Sequence, residues 1–345
     1  MRQTAVTSVE DRFAINGELT YKGRYWNGIR IEGLLMNSRM VQGIFDDCNP
    51  LTAGKWAYPD TGMWDAERNT AEFLEQMPVW REHGLLAFTL NLQGGSPEGY
   101  SQTQPWHNSA FGPDGSLKEA YMARLERILD RADQLGMIVI LGYFYFGQDS
   151  RFNGERAIKQ AAANATAWLA HRGYTNVIIE VANECDYPAY TQPILRADRI
   201  HELIELARLV SSAIRPGYRQ LIGTSFRGAT IPTDNVMAVA DVLLIHGNAA
   251  PMAWIPEQIE IIRSRAAYRG QPIVNNEDDH FDFDQETNHL ILSITAGVSW
   301  GYFDPGVSDY SQGYQCPPVQ WGINTERKRQ FFNKLKEITG MDGVD

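Results

Sequence analysis

An apolar run of four to eight residues followed by a helical pattern recurs eight times along this chain. That rhythm limits the possible folds more than any composition figure does. Residues 40–45, 85–92, 137–144, 177–181, 221–225, 242–245, 272–276 and 298–303 read as strands. Helical spacing follows them at 67–82, 117–134, 155–171, 197–214, 235–240, 256–268, 285–295 and 325–338. In the second helix Tyr121, Leu125, Ile128, Leu129 and Ala132 share one face, and Pro216-Gly217 closes the fourth. Several strand runs are rich in Val and Ile, as strands covered on both faces of a parallel sheet must be.

Eight strand–helix units are the count of a (β/α)8 TIM barrel, an α/β fold, whose parallel crossovers default to the right hand. A doubly wound sheet fits the count less well, and no glycine-rich phosphate fingerprint follows any strand. No linker, low-complexity tract or charge block divides the chain, so one catalytic-size domain over residues 1–345 is expected. Ahead of the barrel, Phe13 to Tyr21 forms two short runs joined by Asn16-Gly17. That pair is the strongest short-range hairpin signal, giving an N-terminal β-hairpin at about residues 12–22.

Charge and cysteine usage exclude several classes. A formal net charge of −11 disfavours nucleic-acid and anionic-membrane partners, which need a basic face. Cys48, Cys185 and Cys316 are far apart and form no CxxC pair, so neither a disulfide framework nor a zinc site is expected. No apolar run approaches the length of a membrane span. Residues 1–11 lack the pattern of a signal peptide, which predicts a cytoplasmic protein, or a secreted one if a leader has been removed. Nothing in the sequence fixes the oligomeric state.

The strand ends carry the chemistry. Residues 177–181 run into Asn183-Glu184, 272–276 into Asn276-Glu277, 242–245 into His246, and the eighth strand contains Trp300. In a barrel these ends converge on one mouth. Two carboxylates with aromatic and polar neighbours are the parts of a glycosidase, in which one carboxyl donates a proton while the other attacks the anomeric carbon. Glu180 alternates with Glu184 onto one strand face, so it points into the barrel as a buried structural carboxylate.

This arrangement resembles the clan A glycoside hydrolases, most closely the cellulase-like members around family 5, over roughly residues 13–340. The resemblance implies Glu184 as acid/base and Glu277 as nucleophile of a retaining enzyme acting on a β-glycosidic, or stereochemically equivalent, oligo- or polysaccharide. It implies Asn183 on the sugar 2-hydroxyl, with His246, Trp300, Arg39, Tyr145, Asn91 and Asn248 as further substrate-binding residues. Arg227 is the substitute for Arg39. No cofactor and no metal are implied. The chain departs from the family at Cys185, where Pro is usual, at Asn248, where Tyr is common, and at the missing third-strand His, near which Tyr143 and Tyr145 stand.

Two rivals keep the barrel and change the chemistry. One is a metal-dependent hydrolase or isomerase using Asp278, Asp279, His280 and His246, although that spacing lacks a calcium-loop pattern. The other is a non-catalytic carbohydrate-binding barrel. Trp56, Trp64, Trp106 and Trp254 fall in mouth-side loops, as sugar subsites or as loop anchors.

Overall fold

The computed structural model describes residues 2–101, 103–306 and 312–341. Eight parallel strands run β1 (Asn37–Arg39), β2 (Ala87–Asn91), β3 (Ile138–Phe144), β4 (Val177–Ala182), β5 (Leu221–Gly223 and Ser225–Phe226), β6 (Leu243–His246), β7 (Ile273–Asp278) and β8 (Ser299–Tyr302). Each pairs with its neighbour in sequence, and β8 pairs with β1. The ring closes at β5, whose first piece pairs with β4 and whose second, beyond Thr224, pairs with β6. Eight helices alternate with the strands: α1 (Ala66–Glu82), α2 (Glu119–Leu135), α3 (Glu155–Arg172), α4 (His201–Ile214), α5 (Asp234–Val239), α6 (Trp254–Ser264), α7 (His289–Thr295) and α8 (Glu326–Thr339). The (β/α)8 barrel read from the sequence is the fold.

One strand lies elsewhere than expected. Residues 40–45 do not form β1; Val41–Gly43 is a single 3-10 turn, and β1 is the polar triplet before it. Hydrophobicity pointed to the wrong segment because β1 faces a polar barrel interior, while Gly43 lies close against Phe73 of α1 and Leu90 of β2. Two helices also start later than their periodicity suggested. Pro193–Leu195 forms a separate 3-10 turn ahead of α4, and Asn288 caps α7 by accepting the Ile291 N–H.

The bottom of the barrel is apolar and the top is polar. Val6 and Phe13 join Ile140, Ile178, Leu244 and Val274 in one buried cluster, so the N-terminal hairpin plugs the floor. In that hairpin Arg12–Ile15 pairs with Glu18–Leu19 through Asn16 and Gly17 at φ 54° and 82°, both positive as a type I′ turn requires. Val6–Val9 adds a third strand that the sequence reading missed.

Above the floor the interior carries Glu180 and Asn91, both buried, with Gly142 between them. A Cβ on Gly142 would stand 2.2 Å from Asn91 Oδ1 and 3.3 Å from Glu180 Oε2. Gly142→Ala is therefore expected to cost about 1–3 kcal/mol by overpacking. Gly54→Ala, whose Cβ meets nothing within 4 Å, should stay within about 0.5 kcal/mol of wild type. Urea unfolding of the two variants checks both values.

Candidate active site

Two local distortions aim the carboxylates at the mouth. Strand β7 carries one extra residue: Ile245 faces Asn275 but His246 faces Glu277, which leaves Asn276 as a bulge. Bulges re-aim side chains at barrel rims, and here Val274 belongs to the floor while Glu277 reaches the cavity. At the other carboxylate, β4 ends at Ala182 and Glu184 takes a left-handed backbone with φ 48°. A non-glycine residue pays for that conformation and needs the surroundings to hold it. Ser225 does so from β5: its Oγ accepts the Glu184 N–H at 2.8 Å and its carbonyl accepts the Cys185 N–H at 3.0 Å.

The mouth gathers Glu184, His246 and Glu277, with an oxygen or nitrogen of each within 4.8 Å of the others. His246 Nδ1 lies 2.9 Å from Glu184 Oε1 and 3.6 Å from Glu277 Oε2. Arg39 Nε stands 2.9 Å from Glu277 Oε2, and Asn248 Nδ2 donates to Glu277 Oε1 at 2.6 Å. Burial penalises the His246 imidazolium, but Glu277 and the hydrogen-bonded Glu184 outweigh it and hold its pKa above the ordinary value. Burial likewise opposes the Arg39 charge, and Glu277 more than compensates, together with Tyr145, Glu180 and Glu184. Burial pushes the Glu180 carboxyl up, against the pull of Arg39 and His246.

The cavity between these groups measures about 260 Å³, near the small end of ligand pockets. Its aromatic walls are Tyr145, Phe146 and Tyr187 on one side and Tyr100 and Phe303 on another. Phe146 stacks on Tyr187 with centroids 4.1 Å apart, and Tyr145 is fixed by a 2.9 Å hydrogen bond between its hydroxyl and Ser96 Oγ. Tyr100 donates to Asp279 across the rim.

Of the residues singled out in sequence, Glu184, Glu277, Arg39, Tyr145 and Asn248 line this cavity, as does Arg227. Arg227 is bound to Asp186 at 3.2 Å, so Arg39 is the cation at Glu277. Asn183 and Asn91 are buried; the Asn183 carbonyl accepts the Tyr190 hydroxyl, and Asn91 lies deeper, beside Gly142.

Trp300 does not reach the cavity. It packs on Phe283 and on Phe331 of α8, and its Nε1 donates to Asp278 Oδ2 at 3.0 Å. Alternation along β8 explains the correction: Gly301 points inward against Asn37, Trp300 points out, and Phe303 is the ring that lines the mouth. Tyr143 likewise faces α3, where its hydroxyl meets Thr166. Trp56 and Trp106 are fully buried loop anchors, bonded through Nε1 to Asp47 and to Gln104.

The acidic cluster that begins at the end of β7 centres on a buried, hydrogen-bonded Asp278. Asp278 accepts from Asn275 Nδ2, Trp300 Nε1, His289 Nδ1, and both the backbone N–H and Nδ1 of His280. The two imidazoles stack with centroids 3.5 Å apart. Asp278, His280 and His289 also have the spacing to share a metal ion, and both Nδ1 atoms face the carboxylate, at 2.7 Å and 2.9 Å.

The same contacts fix a pH signature. Burial resists ionisation of Asp278, but the two histidines win and its pKa is lowered. The bond to Asp278 raises that of His280 against burial. Stabilisation from the raised histidine is complete below its unfolded value near 6.5 and is lost as pH rises through the folded value. The share from the depressed carboxyl is present above 3.8 and is lost as pH falls through its folded value. His280→Gln should therefore lower Tm most between about pH 4 and 6.5 and least near pH 9, as thermal melts across that range would show.

No protein-family model matches the chain, and no curated protein does. Solved structures do. A GH5-4 broad specificity endoglucanase from Bacteroides salanitronis superposes with TM-score 0.59 at 11% identity, over 92% of this chain and 98% of that one. The chain shares the (β/α)8 barrel fold of the glycoside hydrolase structures it matches. A candidate glycoside hydrolase from Bacteroides vulgatus ATCC 8482 matches at TM-score 0.59 and 16% identity, over 97% of this chain but only 61% of that one. The chain thus spans about three-fifths of that protein's length. A beta-glucosidase, number 1317, matches at TM-score 0.54 and 12% identity, over 91% and 99%. Among the described residues no helix is long and apolar enough to cross a membrane.

Proposed function

We propose that this clan A barrel is a retaining glycoside hydrolase in which Glu184 is the acid/base and Glu277 the nucleophile. The carrying observation is that Glu184 and Glu277 face one mouth with one oxygen of each within 4.8 Å of the other, both reached by His246 Nδ1. Retaining enzymes hold their carboxyl groups about 5–5.5 Å apart, whereas inverting ones need roughly 6.5–9.5 Å to seat a water between them. Each residue is equipped for its role. Glu277 has a counter-charge in Arg39 and a donor in Asn248, which hold its oxygens in place for attack. Glu184 Oε1 shares a 2.9 Å hydrogen bond with His246 Nδ1, which fixes its carboxyl at the mouth.

In the first step Glu184 protonates the leaving oxygen as its bond to the anomeric carbon breaks, and Glu277 forms an ester to that carbon. In the second, Glu184 takes a proton from water, which attacks the same carbon and frees Glu277. The substrate is a β-glycosidic or stereochemically equivalent oligo- or polysaccharide. The endoglucanase and beta-glucosidase of the same fold make β-glucosides the first panel to try.

Sugar release from a panel of aryl glycosides and oligosaccharides, with wild type, Glu184→Gln and Glu277→Gln run with and without chelator, tests this. Release lost in Glu277→Gln on every substrate, lost in Glu184→Gln on the oligosaccharides, and indifferent to chelator is expected. Release abolished by chelator alone would instead make Glu184, His246 and Glu277 the ligands of a metal ion.

A further inference from the structure

A second cavity of about 390 Å³ opens among the loops that follow β1, β2 and β3, on the catalytic side of the barrel. His107, Lys118 and Arg151 line it, and no carboxylate does among the described residues. In a chain of net charge −11 that is a local reversal of sign. Neither Lys118 nor Arg151 is ion-paired among the described residues, and Arg151 spends its donors on Gln148 and on the carbonyls of Gln104 and Pro105. Asp47, the carboxylate that acts on both His107 and Arg151, is already bound by the Thr52 hydroxyl, Trp56 Nε1 and the backbone N–H groups of Asn49 and His107. Asp46 is paired with Arg124 at 2.9 Å.

The convergence of positive charge is felt by its members. The His107 pKa is lowered by burial and then by repulsion from Arg151, and burial lowers Arg151 too. Beside the charges lie the rings of Phe111 and Phe152, in contact at 5.8 Å between centroids. An apolar floor with convergent cations suits a small organic anion better than a bare ion.

The cavity also backs onto the catalytic one. Gln93 lines it and accepts the N–H of Tyr145. Gln104, whose carbonyl holds Arg151, donates to Ser96 Oγ on the catalytic wall. We propose that this pocket is a subsite for an oxyanion carried on a sugar, the carboxylate of a uronate or a sulfate ester. That the anion is borne on a sugar rests on the glycosidase reading; the anion site itself does not.

Cys48 lines the pocket and is exposed, while Cys185 and Cys316 are buried, so it is a built-in reporter. The test compares alkylation of Cys48 by anionic iodoacetate and by neutral iodoacetamide, mapped by mass spectrometry. A peptide of residues 44–52 serves as the reference. The ratio of the two rates cancels the thiolate fraction and leaves the local potential. At low salt it should exceed the peptide's by about fivefold or more, and fall towards it as the Debye length shortens at 0.5 M salt.

Lys118→Met should lower the ratio in the folded protein. D-glucuronate or glucose 6-sulfate should slow labelling where glucose does not, and which of them does so names the oxyanion. A ratio equal to the peptide's, with no protection by any anion, would overturn the site. Protection by inorganic sulfate but by neither sugar anion would overturn its assignment to a sugar. No turnover is involved, so failure of the catalytic reading on the glycoside panel would leave these results standing.

Discussion

Glu277→Gln is expected to lower kcat by about 10⁴–10⁶, the scale on which removing a covalent nucleophile acts, with the fold intact. The amide keeps the volume of Glu277 but cannot form the ester to the anomeric carbon. Glu184→Gln should behave differently. It should cost about 10²–10⁴ on a substrate whose leaving group needs a proton. On an aryl glycoside with an acidic phenol the first step needs no proton, so that loss should shrink and a burst of phenol should precede a slow steady state. Comparison of the two variants on aryl and natural substrates separates the roles. Equal losses of Glu184→Gln on both substrates would remove it from the acid position.

Arg39→Met should be the most destabilising single change at the site, by about 3–5 kcal/mol. Arg39 and Glu277 have side chains only 1% and 7% exposed, so deleting the cation leaves a buried carboxylate without its partner. The double variant Arg39→Met/Glu277→Gln, which removes both charges, should recover much of that loss. Chemical denaturation of the two single variants and the double variant gives the coupling directly. A double variant no more stable than Arg39→Met would mean that the guanidinium matters through packing, for instance near Phe303, whose ring centre lies 5.8 Å away.

The eightfold rhythm was legible because outward strand residues such as Leu141, Tyr143 and Ile179 are apolar and buried under helices. Strand β1 was not, because Asn37 and Arg39 serve a polar interior and leave no hydrophobic signal. Glu184 and Glu277 could be picked out by following strands to their ends, yet the devices that aim them could not. The bulge at Asn276 exists only relative to β6, and the left-handed turn at Glu184 relies on Ser225, forty-one residues away.

Trp300 shows how a strand end can mislead. Size suggested a sugar platform, but period-two alternation puts Phe303 at the mouth and Trp300 against α8. That alternation was readable in the sequence itself. The walls formed by Phe146 and Tyr187 were also within reach, since each follows closely on a functional strand end. The basic pocket was not, because His107 and Lys118, from the loop after β2, meet Arg151, from the loop after β3, only in three dimensions.

The most direct test of double displacement is the anomeric form of the first sugar released, read by proton NMR within seconds of starting hydrolysis. The substrate would be whichever glycoside the panel shows to be cleaved. With Glu277 assigned as the nucleophile, and one oxygen of each carboxylate within 4.8 Å of the other, the product should carry the configuration of the substrate. A first product of inverted configuration would contradict Glu277 as nucleophile and turn it into a base acting through water.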